Sequence, residues 1–186
     1  DRLIGEHFAS ELNAAMPDTI LILPAMGIGC SGHHMGFAGT LSLTHATFAS
    51  VVKEIIASVL QHGFNKIILF NSHGGNQGIA QVILEELGQQ YPEGHIIGVT
   101  WWMIAGDLLK EITETGRGGT GHACEFETSL MEVIAGELVD RTQIQKGANT
   151  PSFGWADGDM LRSPKASYYR SFRSMTSNGI FGDPTL

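Results

Sequence analysis

The sequence of 186 residues lacks a run of about 18 apolar residues, the length at which a helix spans a bilayer, so we expect no membrane partner. It is also poor in basic residues, with 11 Lys and Arg against 19 Asp and Glu and a net charge of -8. Because a nucleic-acid interface needs a basic face, this balance argues against nucleic acid as a partner.

Cysteine is scarce as well. Only Cys30 and Cys124 are present, and their separation fits neither a disulfide framework nor a structural zinc finger. We expect both thiols to be reduced and buried, in a cytoplasmic protein without a signal peptide. The sequence also has no Gly-x-Ser-x-Gly elbow, which argues against a serine hydrolase.

The spacing of apolar residues predicts helices that alternate with strands. Helical periodicity covers four segments, namely 2–16, 44–61, 77–87 and 125–138. Continuous apolar runs predict strands buried on both faces at 20–24, 66–70 and 96–101. This alternation predicts an α/β fold in which helices cover both faces of a mostly parallel sheet.

The length suits a single domain over residues 1–186. Within it, residues 147–186 are rich in Gly, Ser, Asp and Pro, with aromatic side chains between them. We expect this segment to be an irregular C-terminal arm that packs on another subunit.

Three segments rich in glycine and histidine supply the candidate functional residues. The first, residues 71–76 (NSHGGN), places His73 directly after a predicted strand, at the sheet edge where α/β proteins bind their ligands. Gly74 and Gly75 would let the backbone turn tightly and approach a ligand closely, and Asn76 suits the N-cap of the next helix. Taken alone, a tight turn without a function is an equally good interpretation.

The second segment, residues 119–129, contains His122 and Glu125, which would share one helix face as a metal ligand and an acid/base group. An acidic helix N-terminus explains the same pattern, and taken alone it is the better interpretation. The third segment, residues 30–41, carries the adjacent His33 and His34, which are either ligands or surface residues. Together, imidazoles and carboxylates at three strand ends favour a hydrolase that uses zinc, manganese or iron.

The three segments resemble signatures of the creatininase family. Residues 71–76 (NSHGGN) resemble its Asn-Gly-His-Gly-Gly-Asn signature, and residues 122–129 (HACEFETS) resemble His-Ala-Gly-Glu-x-Glu-Thr-Ser. Residues 31–41 (SGHHMGFAGTL) are similar to Ser-x-x-His-x-x-Phe-Pro-Gly-Thr-Leu. Cys124 and Ala38 depart from the last two signatures, and the resemblance covers roughly residues 1–140.

The resemblance implies a three-layer α/β/α sandwich with two divalent metal ions per subunit. Asp1, His73 and Glu125 would bind metal, and His122 would be the catalytic histidine. Further ligands of the family, a Glu-x-His segment that follows an N-terminal strand, would precede Asp1. The candidates for substrate binding are His34, Ser31, Gly74, Gly75, Trp101 and Trp102. For the two tryptophans, packing in the core or at an interface is an equally good interpretation.

The implied reaction is hydrolysis of the C–N bond of a small, cyclic amide, in which a metal-bound hydroxide attacks the carbonyl and His122 protonates the leaving nitrogen. Creatinine itself fits poorly, because residues 114–121 contain no tryptophan and Gly75 stands where creatininase has a glutamate. The alternatives are a formamide deformylase, a peptide-trimming relative on the same scaffold, and a non-catalytic binding protein. The family also implies a homo-oligomer, commonly a hexamer.

Overall fold

The computed structural model describes residues 1–116, 118–147, 159–162 and 166–185. The helices and strands of these residues are, in chain order, α1 Arg2–Ala15, α2 His45–Gln61, β1 Lys66–Asn71, α3 Gln77–Gln90, β2 His95–Thr100, α4 Trp101–Ile104, α5 Gly106–Ile112, α6 Glu125–Ala135 and α7 Phe172–Met175. Single 3-10 turns lie at Gly32–His34, Gly74–Asn76, Gly136–Leu138 and Arg141–Gln143. The predicted helices are confirmed, with bounds that differ by at most three residues. Of the described helices, none has the length and apolar character needed to cross a membrane.

Local signals explain where the longest described helix, α2, begins and ends. The hydroxyl of Thr44 accepts a hydrogen bond from the backbone N–H of Thr47 at 3.2 Å, which satisfies one free donor of the first turn. Just beyond the helix, Gly63 has a φ of +88°, the left-handed conformation that favours glycine at a helix end. Between these points the helix buries Phe48 and Ile56 on one face, as its periodicity predicts.

The two strands form a parallel pair, in register from Lys66 opposite His95 to Asn71 opposite Thr100. Helix α3 connects them and packs with α2 over one face of the pair. The buried side chains of this layer are Cys30, Phe48, Ala49, Ile56, Ile83 and Leu87. Strand side chains that alternate toward this face pack against the layer, namely Ile67, Leu69 and Ile96.

Helix α1 lies on the opposite face, at the C-terminal end of β1. The ring of Phe8 is 6.1 Å from Phe70 and 5.9 Å from Trp101. A second core joins α1 to α4, α5 and α6, and its buried residues are Ile4, Trp101, Trp102, Leu109, Cys124 and Phe126. Because helices cover both faces of a parallel pair, the predicted α/β architecture is confirmed.

Two predictions about the strands are wrong. Residues 20–24 form no strand, because nothing in the described part of the chain pairs with them, and Leu21 and Leu23 are 78% and 57% exposed. The paired strands are also not buried on both faces. Helix α1 reaches only one end of the sheet, so Ile68 and Ile97 remain 52% and 58% exposed. In addition, β2 ends one residue early, since Trp101 begins α4.

The described parts of the C-terminal region pack on this chain. The backbone N–H of Met160 donates to the carbonyl of Thr120 at 2.9 Å, and that of Asp183 donates to Gly119 at 2.8 Å. Residues 148–158 and 163–165 of the predicted arm lie outside the described residues. A contact between the arm and another subunit stays a prediction.

The buried layer between the sheet and α2 and α3 yields a stability prediction. Leu87 is 0% exposed there, whereas Leu108 on α5 is 60% exposed. We expect Leu87→Ala to lower the free energy of unfolding by about 2–5 kcal/mol, because the truncation leaves a cavity. Leu108→Ala removes the same atoms at the surface and should change it by less than about 1 kcal/mol. Urea denaturation measures both, and equal losses in the two variants would contradict this core.

Candidate active site

His73 follows the end of β1, at the sheet edge where it is predicted, and contacts two other segments of the chain. Its Nδ1 lies 3.0 Å from Oδ2 of Asp1, and its Nε2 lies 3.2 Å from both the carbonyl oxygen of Cys30 and Oγ of Ser31. The backbone N–H of His73 donates to Oδ1 of Asn71 at 3.2 Å, which fixes the turn after the strand. The imidazole therefore links the chain start to the segment before the first 3-10 turn.

The Asp1–His73 pair has the donor chemistry of a cation site. In the tautomer that donates from Nε2 to the carbonyl oxygen of Cys30, the lone pair of Nδ1 faces the Asp1 carboxylate and is open to a metal ion. Burial lowers the pKa of His73, which disfavours a doubly protonated ring. A neutral imidazole nitrogen beside a carboxylate oxygen is a pair of ligands that zinc and manganese accept.

Glu127 is a second carboxylate near this pair. Its Oε2 accepts a hydrogen bond from the backbone N–H of Ala123 at 2.5 Å and lies 4.0 Å from Nδ1 of His122. The side chain is only 16% exposed, and burial raises the pKa of its carboxyl group. Its charge in turn acts to raise the pKa of His73, so Glu127 belongs to the same site as His73 and His122.

Glu125, the predicted metal ligand, is engaged elsewhere. Its carboxylate accepts hydrogen bonds from Oγ1 of Thr113 at 3.0 Å, the backbone N–H of Glu114 at 2.9 Å, and the N–H and Oγ1 of Thr115 at 3.1 and 2.5 Å. Burial acts to raise the pKa of Glu125, but these hydrogen bonds outweigh it and the pKa is lowered. The structure therefore uses Glu125 to hold residues 113–115 and does not bring it to His73.

The predicted pairing of His122 with Glu125 on one helix face is wrong because the helix begins later. Ala123 has a φ of +50°, and Cys124 is the N-cap of α6, so His122 lies before the helix. The i, i+3 rule does not apply there. Instead, His122 forms an antiparallel bridge with Phe181, in which each backbone N–H donates to the other carbonyl, at 2.8 and 2.9 Å.

Four imidazoles and a phenyl ring gather at this site. His33 stacks on His73 with ring centroids 5.6 Å apart, and His34 lies 4.3 Å from His122. Phe172 of α7 packs on His34 at 4.1 Å and on His122 at 4.9 Å. Burial is the main cause that lowers the pKa of His34 to about 3 and that of His122 to about 4, and the neighbouring imidazoles add to it. Both rings are therefore neutral at pH 7 and able to accept a proton.

The site opens into a cavity of about 470 Å³. Five predicted site residues line it, namely Asp1, Ser31, His34, His73 and His122. The other lining residues are Phe37, Thr40, Leu41, Ala123, Asn178, Gly179 and Ile180. Trp101 and Trp102 are 5% and 8% exposed in the core, which corrects their predicted place beside the substrate.

Gly75 and Asn76 do not line the cavity but hold its wall. A Cβ at Gly75 would overlap the carbonyl oxygen of Cys30 and lie 2.7 Å from Nε2 of His73, whereas at Gly74 it would meet nothing within 4 Å. Oδ1 of Asn76 accepts from the backbone N–H of Cys30 at 2.9 Å, and the side chain makes no cap bond to α3. Asn76 therefore occupies the predicted N-cap position, but its side chain bonds to Cys30 instead of the helix, and both residues fix Cys30 against His73.

Three further residues belong to the site although the sequence did not single them out: Glu127, Phe172 and Asp159. Asp159 is 5% exposed, and its carboxylate accepts from the N–H of Gly118 at 2.9 Å and from Oγ1 of Thr120 at 2.7 Å, which fixes the loop before His122. Glu127 lies within the 122–129 signature, but an acidic residue in the first turn of a helix needs no functional explanation, so the sequence does not distinguish it. Phe172 and Asp159 stand in irregular sequence, where no periodicity identifies them.

The donors fit a divalent ion in part. Within the described part of the chain, no three His, Cys, Asp or Glu side chains converge closely enough to hold a metal ion as they stand. Asp1 and His73 fit as adjacent ligands, and Glu127 is the nearest further carboxylate. Full coordination would need a shift of Glu127 or ligands from elsewhere.

Comparison with known proteins identifies the family of the chain. The profile of the creatininase family (creatinine amidohydrolase) matches residues 1–186. The chain belongs to the creatininase family.

Individual members of the creatininase family are similar over most of the chain. It is 25% identical to creatinine amidohydrolase of Pseudomonas putida, over 86% of this chain and 72% of the relative. It is 26% identical to the mycofactocin precursor peptide peptidase of Mycobacterium ulcerans (strain Agy99), over 99% of this chain and 64% of the relative. A solved mutant creatininase of Zn-Zn type matches with a TM-score of 0.59 and 22% identity, over 95% of this chain and 74% of that chain. The last match shows the creatininase-like fold.

The close approach of Gly75 to the carbonyl oxygen of Cys30 in this creatininase-family chain can be tested by a substitution that adds one methyl group. We expect Gly75→Ala to lower the free energy of unfolding by about 1–3 kcal/mol, because the methyl must push Cys30 away from His73. Gly74→Ala is the matched control and should change it by less than about 1 kcal/mol, because the space there is open. Thermal and urea denaturation compare the two, and equal tolerance of both substitutions would exclude the close approach.

Proposed function

We propose that this chain belongs to a divalent-metal-dependent hydrolase that cleaves the C–N bond of a small amide. The observation that carries the proposal is that Asp1, His73 and His122 line one cavity, with the Glu127 carboxylate 4.0 Å from His122. Carboxylates and imidazoles at the C-terminal edge of a parallel sheet are the groups that a hydrolytic metal site uses. The names of the relatives, an amidohydrolase and a peptidase, support the same class of reaction.

Asp1, His73 and Glu127 would hold the metal. Zinc, manganese and iron all accept this mixture of imidazole and carboxylate, and the Zn-Zn type of one structural relative supports two ions per subunit. Once bound, such an ion lowers the pKa of water and polarises the scissile carbonyl. A second ion would need ligands beyond those in the described part of this chain.

His122 is the proposed acid–base residue. Its ring lines the cavity, where a neutral imidazole would take the proton of the attacking water and then donate it to the departing nitrogen. Glu127, 4.0 Å from Nδ1, stabilises the imidazolium between these two transfers. Phe172 packs against the ring and keeps water from one side of it.

Two kinds of substrate remain as candidates. A small cyclic amide is favoured by the relative that acts on creatinine. Peptide trimming is favoured by the mycobacterial relative. Gly75 stands where creatininase has a glutamate, which argues against creatinine itself as the substrate.

The proposal includes a homo-oligomer. Met103 and Ile104 of α4 and Leu108 of α5 are 68%, 72% and 60% exposed. Apolar side chains that cluster on a surface in this way favour association with a further copy of the chain.

The variant His122→Ala tests the acid–base assignment. We expect turnover to fall by about two to four orders of magnitude, because the proton transfer to the leaving nitrogen is lost, while metal content stays unchanged. Turnover is measured as amine release from the best substrate in a panel of cyclic amides, formamides and short peptides. Atomic spectroscopy measures the metal.

The exposed His62 provides the control for that experiment, since His62→Ala removes an imidazole outside the site. If His122→Ala loses metal together with turnover, His122 is a ligand rather than the acid–base residue.

Glu127→Gln and Glu125→Gln form a matched pair that tests the metal ligands. We expect Glu127→Gln to weaken metal affinity at least about tenfold, because a charged donor is lost. Glu125→Gln should keep its metal and lose about 1–3 kcal/mol of unfolding free energy, because the bonds to residues 113–115 weaken. Metal titration and urea denaturation are the measurements, and the reverse pattern would restore Glu125 as the ligand.

Less than one metal per subunit in the unaltered protein would favour a non-catalytic binding function.

A further inference from the structure

The cavity beside His122 has an apolar part that the proposed reaction does not use. Phe37 and Leu41, which follow the first 3-10 turn, line it together with Ile180 of the C-terminal segment. Of the described residues that line the cavity, none is Lys or Arg, and Asp1 is the only carboxylate. An apolar wall therefore adjoins the polar groups that would carry out the reaction.

Ile180 is held beside Phe37 by a tight turn. Gly179 has a φ of +88°, and a Cβ on it would lie 3.6 Å from Cε1 of Phe37, so the turn packs directly on the ring. Oδ1 of Asn178 accepts hydrogen bonds from Oγ1 of Thr176 at 2.7 Å and from the backbone N–H of Ile180 at 3.1 Å. These bonds fix the turn that presents Ile180 to the cavity.

Arg173 holds the Phe37 ring in place. Its guanidinium lies 5.3 Å from the ring centroid, and its Nη1 donates to the carbonyl of Ser177 at 2.5 Å. Gly36 permits this approach, because a Cβ there would lie 2.7 Å from Cβ of Arg173. The cation is thus engaged with the ring and the backbone, and the apolar wall is formed before a ligand binds.

We propose that Phe37, Leu41 and Ile180 form a subsite for an uncharged, apolar substituent of the amide substrate. The inference rests on the proposed function, because that function places the scissile amide beside His122. Leu41 is 67% exposed, so an alkyl group in the subsite would remove apolar surface from water. A polar group there would lose hydration without a hydrogen-bonding partner on the side chains of Phe37, Leu41 and Ile180.

A series of hydantoins tests the subsite in the metal-loaded full chain. Dissociation constants for hydantoin and its 5-methyl, 5-isopropyl and 5-isobutyl derivatives are measured by saturation-transfer NMR. Affinity should rise by up to about fourfold for each added methylene that becomes buried. The neutral 5-carbamoylmethyl derivative matches the isobutyl compound in size and should bind at least about tenfold more weakly, because its amide group loses hydration against apolar side chains.

Two truncations locate the effect. Leu41→Ala and Ile180→Ala should flatten the series, so that the alkyl derivatives lose most of their gain in affinity over unsubstituted hydantoin measured in the same variant. Because Leu41 is exposed, its truncation leaves the folded core intact. Ile104→Ala is the matched control, since this side chain is 72% exposed and lies outside the cavity, and it should keep the full dependence on alkyl length.

The outcomes separate this proposal from the function on which it rests. Equal affinities across the series, no binding, or equal flattening by Ile104→Ala would overturn the subsite. If the series behaves as expected but no amide in the panel is hydrolysed, the hydrolase proposal fails and the subsite stands. If amides are hydrolysed without regard to alkyl length, the subsite alone fails.

Discussion

His122 precedes α6 and has no helical neighbours to hold it, so its position depends on two backbone hydrogen bonds to Phe181. That bridge requires glycine at position 121, because a Cβ there would overlap the carbonyl oxygen of Phe181. It also draws the C-terminal segment over the site, where Phe181 is buried and packs on Phe172 at 5.7 Å. The same segment supplies Ile180 to the cavity. A backbone pairing between distant parts of the chain therefore determines both the placement of the imidazole and the shape of the pocket.

Glu125 and Glu127, separated by one residue, show how surroundings assign a role to a carboxylate. The four described hydrogen bonds to Glu125 stabilise its charge, so its pKa is lowered even though burial opposes this. Glu127 accepts hydrogen bonds from the backbone N–H groups of Ala123 and Cys124, and burial nevertheless raises its pKa. A buried carboxylate with few hydrogen-bond donors is stabilised by a nearby cation. A carboxylate that already accepts several hydrogen bonds does not need a cation. The difference favours Glu127 over Glu125 as a metal ligand.

The sequence predicts the features that depend on neighbouring residues. Apolar spacing identifies the helices, and the run that ends at Phe70 places His73 at the sheet edge. Prediction from the sequence fails where contacts between residues far apart in the chain determine the structure. Residues 20–24 have the composition of a buried strand but find no partner among the described residues, and Trp101 and Trp102 become core because α1 packs against them. The pairing of His122 with Glu125 fails through a single backbone angle, the φ of +50° at Ala123, which no spacing rule anticipates.

Gly75 explains why this chain has no carboxylate at a position where creatininase has one. A glutamate at this position, as in creatininase, would need a Cβ where the carbonyl of Cys30 lies against His73. In the tautomer that donates from Nε2, that carbonyl accepts from His73 and the lone pair of Nδ1 faces Asp1, while Asn76 holds Cys30 from its other side. A carboxylate at 75 would push the Cys30 carbonyl away from His73. Glu127 on α6 acts on the same imidazole through its charge, which works to raise the pKa of His73.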